Sequence, residues 1–94
     1  MADDTRQRLR EALIRSFRGW GGYWNVSPTP PGTSGAPPDR WLLRIHSRPI
    51  TRAELAADVA EAYLNDPADP EAVARWQEEV RAVFEHAKAT DELH

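Results

Sequence analysis

The sequence predicts a small α+β domain in which a two-stranded ribbon packs on three helices. Three segments carry apolar residues at the three- and four-residue spacing of amphipathic helices, and two shorter segments alternate apolar and polar residues. The chain has 94 residues, which is the size of one domain. We therefore expect a single domain, 1–94, with the element order α-β-β-α-α, an antiparallel ribbon and a long Pro/Gly loop between its two strands.

The first helix is predicted over residues 4–18. Asp4 and Gln7 have the spacing of a capping box, in which each side chain binds the other residue's backbone N–H. Gly19 suits the position that follows a helix, because glycine adopts the left-handed conformation without strain. One apolar stripe runs along the helix and consists of Leu9, Ala12, Leu13, Phe17 and Trp20. Ile14 lies off this stripe, so either the helix is buried more broadly than on one face or Ile14 contacts another chain.

The ribbon is predicted within residues 19–46, GWGGYWNVSPTPPGTSGAPPDRWLLRIH, which hold all five glycines and three of the four tryptophans. Residues 23–27 and 40–47 are the expected strands, and residues 28–39 form the loop that joins them. The strands can pair across this long loop because loop-closure entropy rises only slowly with length. In the second strand, alternation separates one face, with Trp41, Leu43 and Ile45, from the other, with Leu42, Arg44 and His46.

The second helix is predicted over residues 52–65. Thr51 and Glu54 have capping-box spacing, and Ile50 with Leu55 fits a hydrophobic staple, in which apolar residues on either side of the cap touch each other. These two signals together are typical of a helix that begins at residue 52.

The third helix is predicted over residues 70–88. Asp69 is the expected N-cap, and Pro70 is favoured at the first helical position because an N–H there would have no acceptor within the helix. The apolar stripe of this helix consists of Val73, Trp76, Val80, Val83, Phe84 and Ala87. Residues 89–94 are expected to form a frayed tail.

Charge is divided unevenly along the chain. Residues 1–50 carry a formal charge of +4 and residues 51–94 a charge of −7, within a net charge of −3. Two interpretations stay open: a basic region that meets an acidic partner, or two halves that attract each other within the folded monomer or a dimer. Arginine outnumbers lysine eleven to one, which is typical of proteins encoded by high-GC genomes, so we expect a bacterial or phage origin.

The sequence indicates no catalytic residue, metal ligand or cofactor. It has no cysteine, which excludes disulfides and thiolate metal sites. The three histidines, His46, His86 and His94, are not spaced as metal ligands, and no serine lies in a nucleophile motif. No apolar run reaches the ~18 residues of a membrane span and no secretory leader is evident, so we expect a cytoplasmic protein that does not bind membranes.

A nucleic-acid-binding transcriptional regulator is the alternative function. The segment ITRAELAADVAEAYL, residues 50–64, resembles the first helix of helix-turn-helix domains, which implies that a basic recognition helix follows. The third predicted helix instead carries more carboxylates than basic residues and would repel phosphates. The basic residues that could bind nucleic acid lie on the first helix and are Arg8, Arg15 and Arg18. Nucleic acid is therefore not the expected partner.

A non-catalytic protein–protein interaction module, such as an accessory subunit, adaptor or inhibitor, is the predicted function. Trp20 and Trp41 fit buried stripes and are assigned to the core, whereas Tyr23 and Trp24 point to opposite faces, so that one is expected to be buried and the other free. Trp, Tyr and Arg are the residue types enriched in binding hot spots. The predicted contact residues, for another protein or for a second copy of this chain, are Ile14, Arg15, Arg18, Tyr23, Trp24, Leu42 and Arg44.

Overall fold

Three strands, not the two expected, form the sheet. The computed structural model describes residues 2–33 and 35–92, and within these ranges the elements follow the order α-β-β-β-α-α. The helices and strands are α1 (Ala2–Gly19), β1 (Val26–Thr29), β2 (Arg40–Ile45), β3 (Thr51–Ala56), α2 (Ala57–Asn65) and α3 (Pro70–Glu92). The α+β class and the single small domain are confirmed, whereas the two-stranded ribbon and the order α-β-β-α-α are wrong.

The additional strand is β3, which occupies the segment predicted to open the helix at 52–65. β3 pairs antiparallel with β2, so that Ala53 lies opposite Leu43. Its side chains alternate, because Thr51 and Leu55 are buried while residues 52 and 54 are exposed. Leu55 joins the apolar face of the sheet that the helices cover. This tertiary packing outweighs the local signals for a helix, as is common for strands.

The predicted capping box and hydrophobic staple are wrong for the same reason. The Thr51 hydroxyl lies 2.7 Å from the Ser47 hydroxyl and hydrogen-bonds to it, rather than to a helix N–H. Ile50 is 52% exposed and does not pack on the fully buried Leu55. The helix α2 begins only at Ala57. The segment 50–64 that resembles a helix-turn-helix element is therefore a strand followed by a short helix.

The sheet has the order β1-β2-β3, and each neighbouring pair is antiparallel. β1 begins at Val26, so most of the predicted strand 23–27 precedes it, and β2 ends at Ile45, before the predicted end at residue 47. One sheet face packs on the helices, and its buried residues are Val26, Trp41, Leu43, Ile45 and Leu55. The helices fill the other side of this core with Leu9, Leu13, Phe17, Trp76, Val80 and Phe84.

A Schellman motif ends α1. The residue in the left-handed conformation is Gly21, with φ of 89°, and not Gly19 as predicted. The Gly21 N–H donates to the Arg18 carbonyl at 3.1 Å, and the Gly22 N–H donates to the Phe17 carbonyl at 2.7 Å. These are the two bonds that define the motif, and they direct the chain from α1 towards β1.

The helix α3 is longer than predicted. It begins as expected, with the Asp69 carboxylate accepting the Glu71 N–H at 3.1 Å. It then continues to Glu92, so that residues 89–92 of the predicted tail are helical, while residues 93 and 94 lie outside the described residues. Even so, none of the helices in the described ranges combines the length and apolar character needed to cross a bilayer.

The Pro/Gly loop is shorter than the predicted 28–39, because Pro28 and Thr29 belong to β1. It is closed by its own backbone hydrogen bonds. The Gly32 N–H donates to the Pro37 carbonyl at 2.9 Å, and Gly32 has a φ of 76° that residues other than glycine rarely adopt. The segment is therefore a series of hydrogen-bonded turns between β1 and β2.

Candidate functional site

The solvent-facing side of the sheet is the first candidate surface. Strand alternation directs away from the helices a set of mostly polar side chains, which we call the outer sheet face. Its members are Ser27, Thr29, Arg40, Leu42, Arg44, Arg52 and Glu54. Two predicted contact residues, Leu42 and Arg44, line a shallow depression on this face together with Ser27, Thr29 and Arg52.

Two arginines of the outer sheet face are direct cross-strand neighbours. Arg44 of β2 lies opposite Arg52 of β3, and like charges in this position destabilise a sheet. Within the described residues neither guanidinium makes an ion pair. Two other charged residues of this face, Arg40 and Glu54, form an ion pair at 3.2 Å. The outer sheet face thus carries two unpaired positive charges, those of Arg44 and Arg52, beside one ion pair.

A serine and a histidine also meet on this face. The Ser27 hydroxyl lies 3.0 Å from Nε2 of the exposed His46. Nucleophilic catalysis needs, in addition, a group that orients the histidine and donors that stabilise an oxyanion. The described part of the chain provides no hydrogen-bond partner for the other ring nitrogen of His46. The pair adds a side-chain hydrogen bond between β1 and the residue that follows β2.

The second candidate surface is a groove beside the end of α1, which we call the aromatic groove. The residues that line it are Trp20, Gly21, Gly22, Tyr23, Trp24, Phe84, Lys88 and Asp91. Tyr23 is 80% exposed, whereas Trp24 is half-buried and packs against the core. This agrees with the expectation that one of the two is buried and the other free.

Aromatic packing holds the floor of this groove in place. The Trp24 ring contacts Phe17 edge-on at 5.9 Å between centroids and lies 5.5 Å from the Phe84 ring. Gly22 permits this approach, because a Cβ atom there would lie 2.8 Å from both the Phe84 and Trp24 rings. Trp20, which was assigned to the core, is half-buried and packs against the core, and the Arg81 guanidinium carbon lies 4.9 Å from the centre of its ring. The expected burial of Trp41 is confirmed.

The remaining predicted residues lie along α1. Ile14 is half-buried and packs against the core, which supports the broader burial of this helix. Arg8 donates from Nη2 to the Leu64 carbonyl at 2.7 Å and so satisfies a backbone acceptor at the end of α2. Arg15 lines a shallow depression with Arg8 and Tyr63, and Arg18 is exposed in the last turn of α1. Of the three predicted nucleic-acid contacts, Arg8 therefore has a structural role within the chain.

The predicted contact residues consequently do not form one surface. Leu42 and Arg44 lie on the outer sheet face, while Tyr23 and Trp24 lie on the aromatic groove. Arg52 belongs beside Arg44 but was not predicted, because residues 51–56 resembled a helix start. The alternation of Thr51, Ala53 and Leu55 with the charged Arg52 and Glu54 is typical of a strand, but six residues are too few for it to outweigh the capping-box spacing.

A third candidate is the free edge of β3, which the sequence did not predict. The Ala57 N–H donates to the Asp39 carbonyl at 3.0 Å, in register with the ladder between β2 and β3. Because antiparallel strands alternate the direction of their backbone groups, the odd-numbered residues of β3 bond to β2. The N–H and C=O groups of Arg52 and Glu54 therefore point away from the sheet. We call these groups the open edge.

No hydrogen bond from elsewhere in residues 2–33 and 35–92 reaches the open edge. The opposite edge of the sheet differs. The His46 N–H donates to the Asn25 carbonyl at 2.9 Å, so the odd-numbered residues of this segment bond to β2. The backbone groups of Val26 and Pro28 therefore point away from β2. Pro28 has no N–H, and its carbonyl accepts from Arg6 Nε at 3.0 Å. The β1 edge is thus blocked at Pro28, one of its two outward-facing residues, and we call it the closed edge.

Metal ligation finds no support in the part of the chain that the structure describes, where no three or more His, Asp or Glu side chains are grouped to hold an ion. The protein is a small α+β domain in which helices cover one face of an antiparallel sheet, leaving the other face and one edge accessible. No family model, no curated protein and no solved structure shows a significant match to this chain.

Proposed function

We propose that this chain is a non-catalytic protein–protein interaction module that binds a partner protein through the aromatic groove. The observation that carries the proposal is the exposure of Tyr23, 80% of which faces solvent directly beside the half-buried rings of Trp20 and Trp24. Large aromatic side chains are the commonest source of binding energy in protein interfaces, together with arginine.

The groove is also suited to binding because its floor is rigid. The Trp24 ring is held between Phe17 and Phe84, and the Gly22 backbone allows the rings to lie close together. Because these rings are already held in place, the groove loses little side-chain entropy when a partner docks, and more of the contact energy remains as affinity. Among the aromatic side chains of the groove, Tyr23 is the one that has to be ordered on binding.

The rim of the groove indicates a partner with both apolar and charged side chains. Lys88 and Asp91 lie on the α3 side of the groove and carry opposite charges. The Arg81 guanidinium stacks on Trp20 and at the same time pairs with Glu85 at 2.9 Å. An apolar side chain of the partner would fill the aromatic floor, and its flanking charged groups would meet this mixed rim, as in the core and rim of many interfaces.

Affinity capture from an extract of the source cells, followed by calorimetry of the purified pair, tests the proposal. We expect Tyr23→Ser to weaken the binding of the recovered protein by about 30-fold, or ~2 kcal/mol. Ile50→Ser is the matched control, because Ile50 is the other large exposed apolar residue in the described ranges and lies away from the groove. Equal affinities for wild type and Tyr23→Ser would contradict the proposal, as would the failure of wild type to capture more protein than Tyr23→Ser.

The nucleic-acid alternative has one supporting observation, which is the pair of uncompensated arginines on the outer sheet face. Arg44 and Arg52 could contact phosphates, whereas Arg8 already binds the Leu64 carbonyl. This function predicts an anisotropy signal with nucleic acid at low salt that falls steeply as salt is added. A flat titration at low salt would remove it. The cytoplasmic location and the bacterial or phage origin stay predictions from composition.

A further inference from the structure

We propose that two copies of this chain pair through their β3 strands and form one continuous six-stranded antiparallel sheet. The proposal does not use the aromatic groove and concerns a second partner, another copy of the chain itself. It starts from the open edge, where the backbone groups of Arg52 and Glu54 have no acceptor or donor within the described residues. Such an edge is a template for another strand, because its backbone groups are already aligned for a ladder.

The charges of β3 select one register for this pairing. In a two-fold antiparallel pair, a strand can be centred on Arg52, on Ala53 or on Glu54. Centring on Arg52 places this arginine against its own copy, and centring on Glu54 does the same for the glutamate. Only the register centred on Ala53 places Arg52 of each copy opposite Glu54 of the other. Opposite charges in direct cross-strand positions stabilise a sheet, and like charges destabilise it.

The backbone groups of the open edge fit the same register. Arg52 and Glu54 both point their N–H and C=O groups away from β2. In the register centred on Ala53 these two residues form hydrogen-bonded pairs across the two-fold axis. Each of the two symmetry-related pairs then exchanges both of its backbone hydrogen bonds. The small side chain of Ala53 lies at the axis, where the two copies approach most closely.

An exposed apolar residue also finds a partner in this register. Ile50 immediately precedes β3 and is 52% exposed in the isolated chain. Continuing the ladder by one residue places Ile50 opposite Ala56 of the second copy, which is partly buried against its own core. Pairing then removes apolar surface from water at both ends of the new ladder, which favours association.

The pairing relieves the unfavourable charge contact within each copy. Arg52 lies opposite Arg44 on one side, and in the dimer it gains Glu54 of the second copy on its other side. The row across the interface then reads Arg44, Arg52 and Glu54 of the second copy, so that the two adjacent positive charges of the isolated chain gain a negative neighbour.

The closed edge of β1 makes the assembly stop at two copies. Pro28 offers no N–H, and Arg6 occupies the Pro28 carbonyl at 3.0 Å. Once both β3 strands are paired, the outer edges of the six-stranded sheet are two closed β1 edges. Pairing of identical surfaces about a two-fold axis gives a closed dimer rather than a fibre.

A charge-exchange series measured by sedimentation equilibrium tests the proposal. We expect wild type to form a dimer, and Arg52→Glu or Glu54→Arg to raise its dissociation constant by roughly 10- to 100-fold, because each change puts like charges opposite each other twice. The double variant R52E/E54R exchanges the two charges and should restore the wild-type constant to within about threefold. Arg44→Glu is the matched control, since it reverses a charge on the same face but on the central strand.

Three results would overturn the proposal. The first is a wild-type chain that stays monomeric up to about millimolar concentration, and the second is a dimer that both single reversals leave intact. The third is a double variant that associates no better than the single variants while circular dichroism shows each of them folded. Tyr23→Ser separates this proposal from the aromatic groove, because it should weaken partner binding about 30-fold and leave the dissociation constant of the dimer unchanged.

Discussion

The two edges of the sheet are built in opposite ways. The β1 edge has four residues, one of which is Pro28, and the Arg6 guanidinium of α1 occupies the Pro28 carbonyl. The β3 edge has six residues without proline, and the outward backbone groups of Arg52 and Glu54 bond to nothing in the described residues. Proteins commonly block edge strands to avoid uncontrolled pairing. One blocked edge beside one open edge therefore indicates that pairing is prevented on one side and used on the other.

The largest expected effect comes from placing a proline at one or the other of two adjacent positions in β3. The Ala53 N–H bonds to β2, whereas the Glu54 N–H belongs to the open edge. We expect Ala53→Pro to lower the free energy of unfolding by about 3 kcal/mol, because it removes a ladder hydrogen bond and leaves a carbonyl unpaired. Glu54→Pro should cost about 1 kcal/mol or less in the monomer and prevent dimerisation. Urea unfolding at low protein concentration compares the two, and equal losses would show that the assignment of the open edge is wrong.

Opening the closed edge should change the size of the assembly. The double variant Arg6→Ala with Pro28→Val restores an N–H to the β1 edge and frees its carbonyl. We expect species larger than a dimer, growing with concentration, because both edges of each sheet then accept a strand. Light scattering after size exclusion measures this. A double variant that stays at the mass of wild type would mean that Pro28 and Arg6 do not limit the assembly.

Arg6 should contribute a smaller amount to the fold itself. Its Nε atom donates to the Pro28 carbonyl in a partly buried position, across 22 residues of sequence. We expect Arg6→Ala to lower the free energy of unfolding by about 1 kcal/mol. Arg18→Ala is the control, because Arg18 is exposed in the same helix and makes no hydrogen bond with its side chain in the described residues. A loss of equal size in both variants would indicate a general effect of charge and not the bond to Pro28.

The smallest expected effect concerns the cross-strand arginines. Replacing Arg44 by glutamate should raise the stability of the monomer by about 0.5 kcal/mol, because it turns a like-charge pair with Arg52 into an opposite-charge pair. The gain should shrink as salt is added, since both groups are exposed. Thermal unfolding at low and high ionic strength measures it. A destabilised variant at low salt would contradict the cross-strand geometry.

The helices α1 and α3 could be predicted because their apolar stripes repeat over several turns. For α3 the cap at Asp69 is also confirmed. The strand β3 could not, because Thr51 and Glu54 fit a capping box as well as an alternating strand, and a segment of six residues is too short for its period to decide. Its conformation is set by packing Leu55 on the core, which depends on residues far away in the chain.

The candidate sites likewise divide into features that could be predicted from the sequence and features that could not. The different environments of Tyr23 and Trp24 could be predicted from their adjacent positions in the chain. The open edge could not, because a strand is an edge only by virtue of its place in the sheet. The contact between Arg6 and Pro28 joins a helix to a strand and depends on how α1 lies against β1. Local sequence carries information about single elements but not about which of them ends a sheet.

Residue-resolved hydrogen exchange on the wild-type chain tests the pairing most directly. Ala53 and Leu55 point their N–H groups at β2, so we expect slow exchange for both at every protein concentration. The N–H groups of Arg52 and Glu54 lie on the open edge and should be protected at high concentration and exchange freely on dilution. Amides of Arg52 and Glu54 that exchange freely at all concentrations, beside protected Ala53 and Leu55, would contradict the dimer.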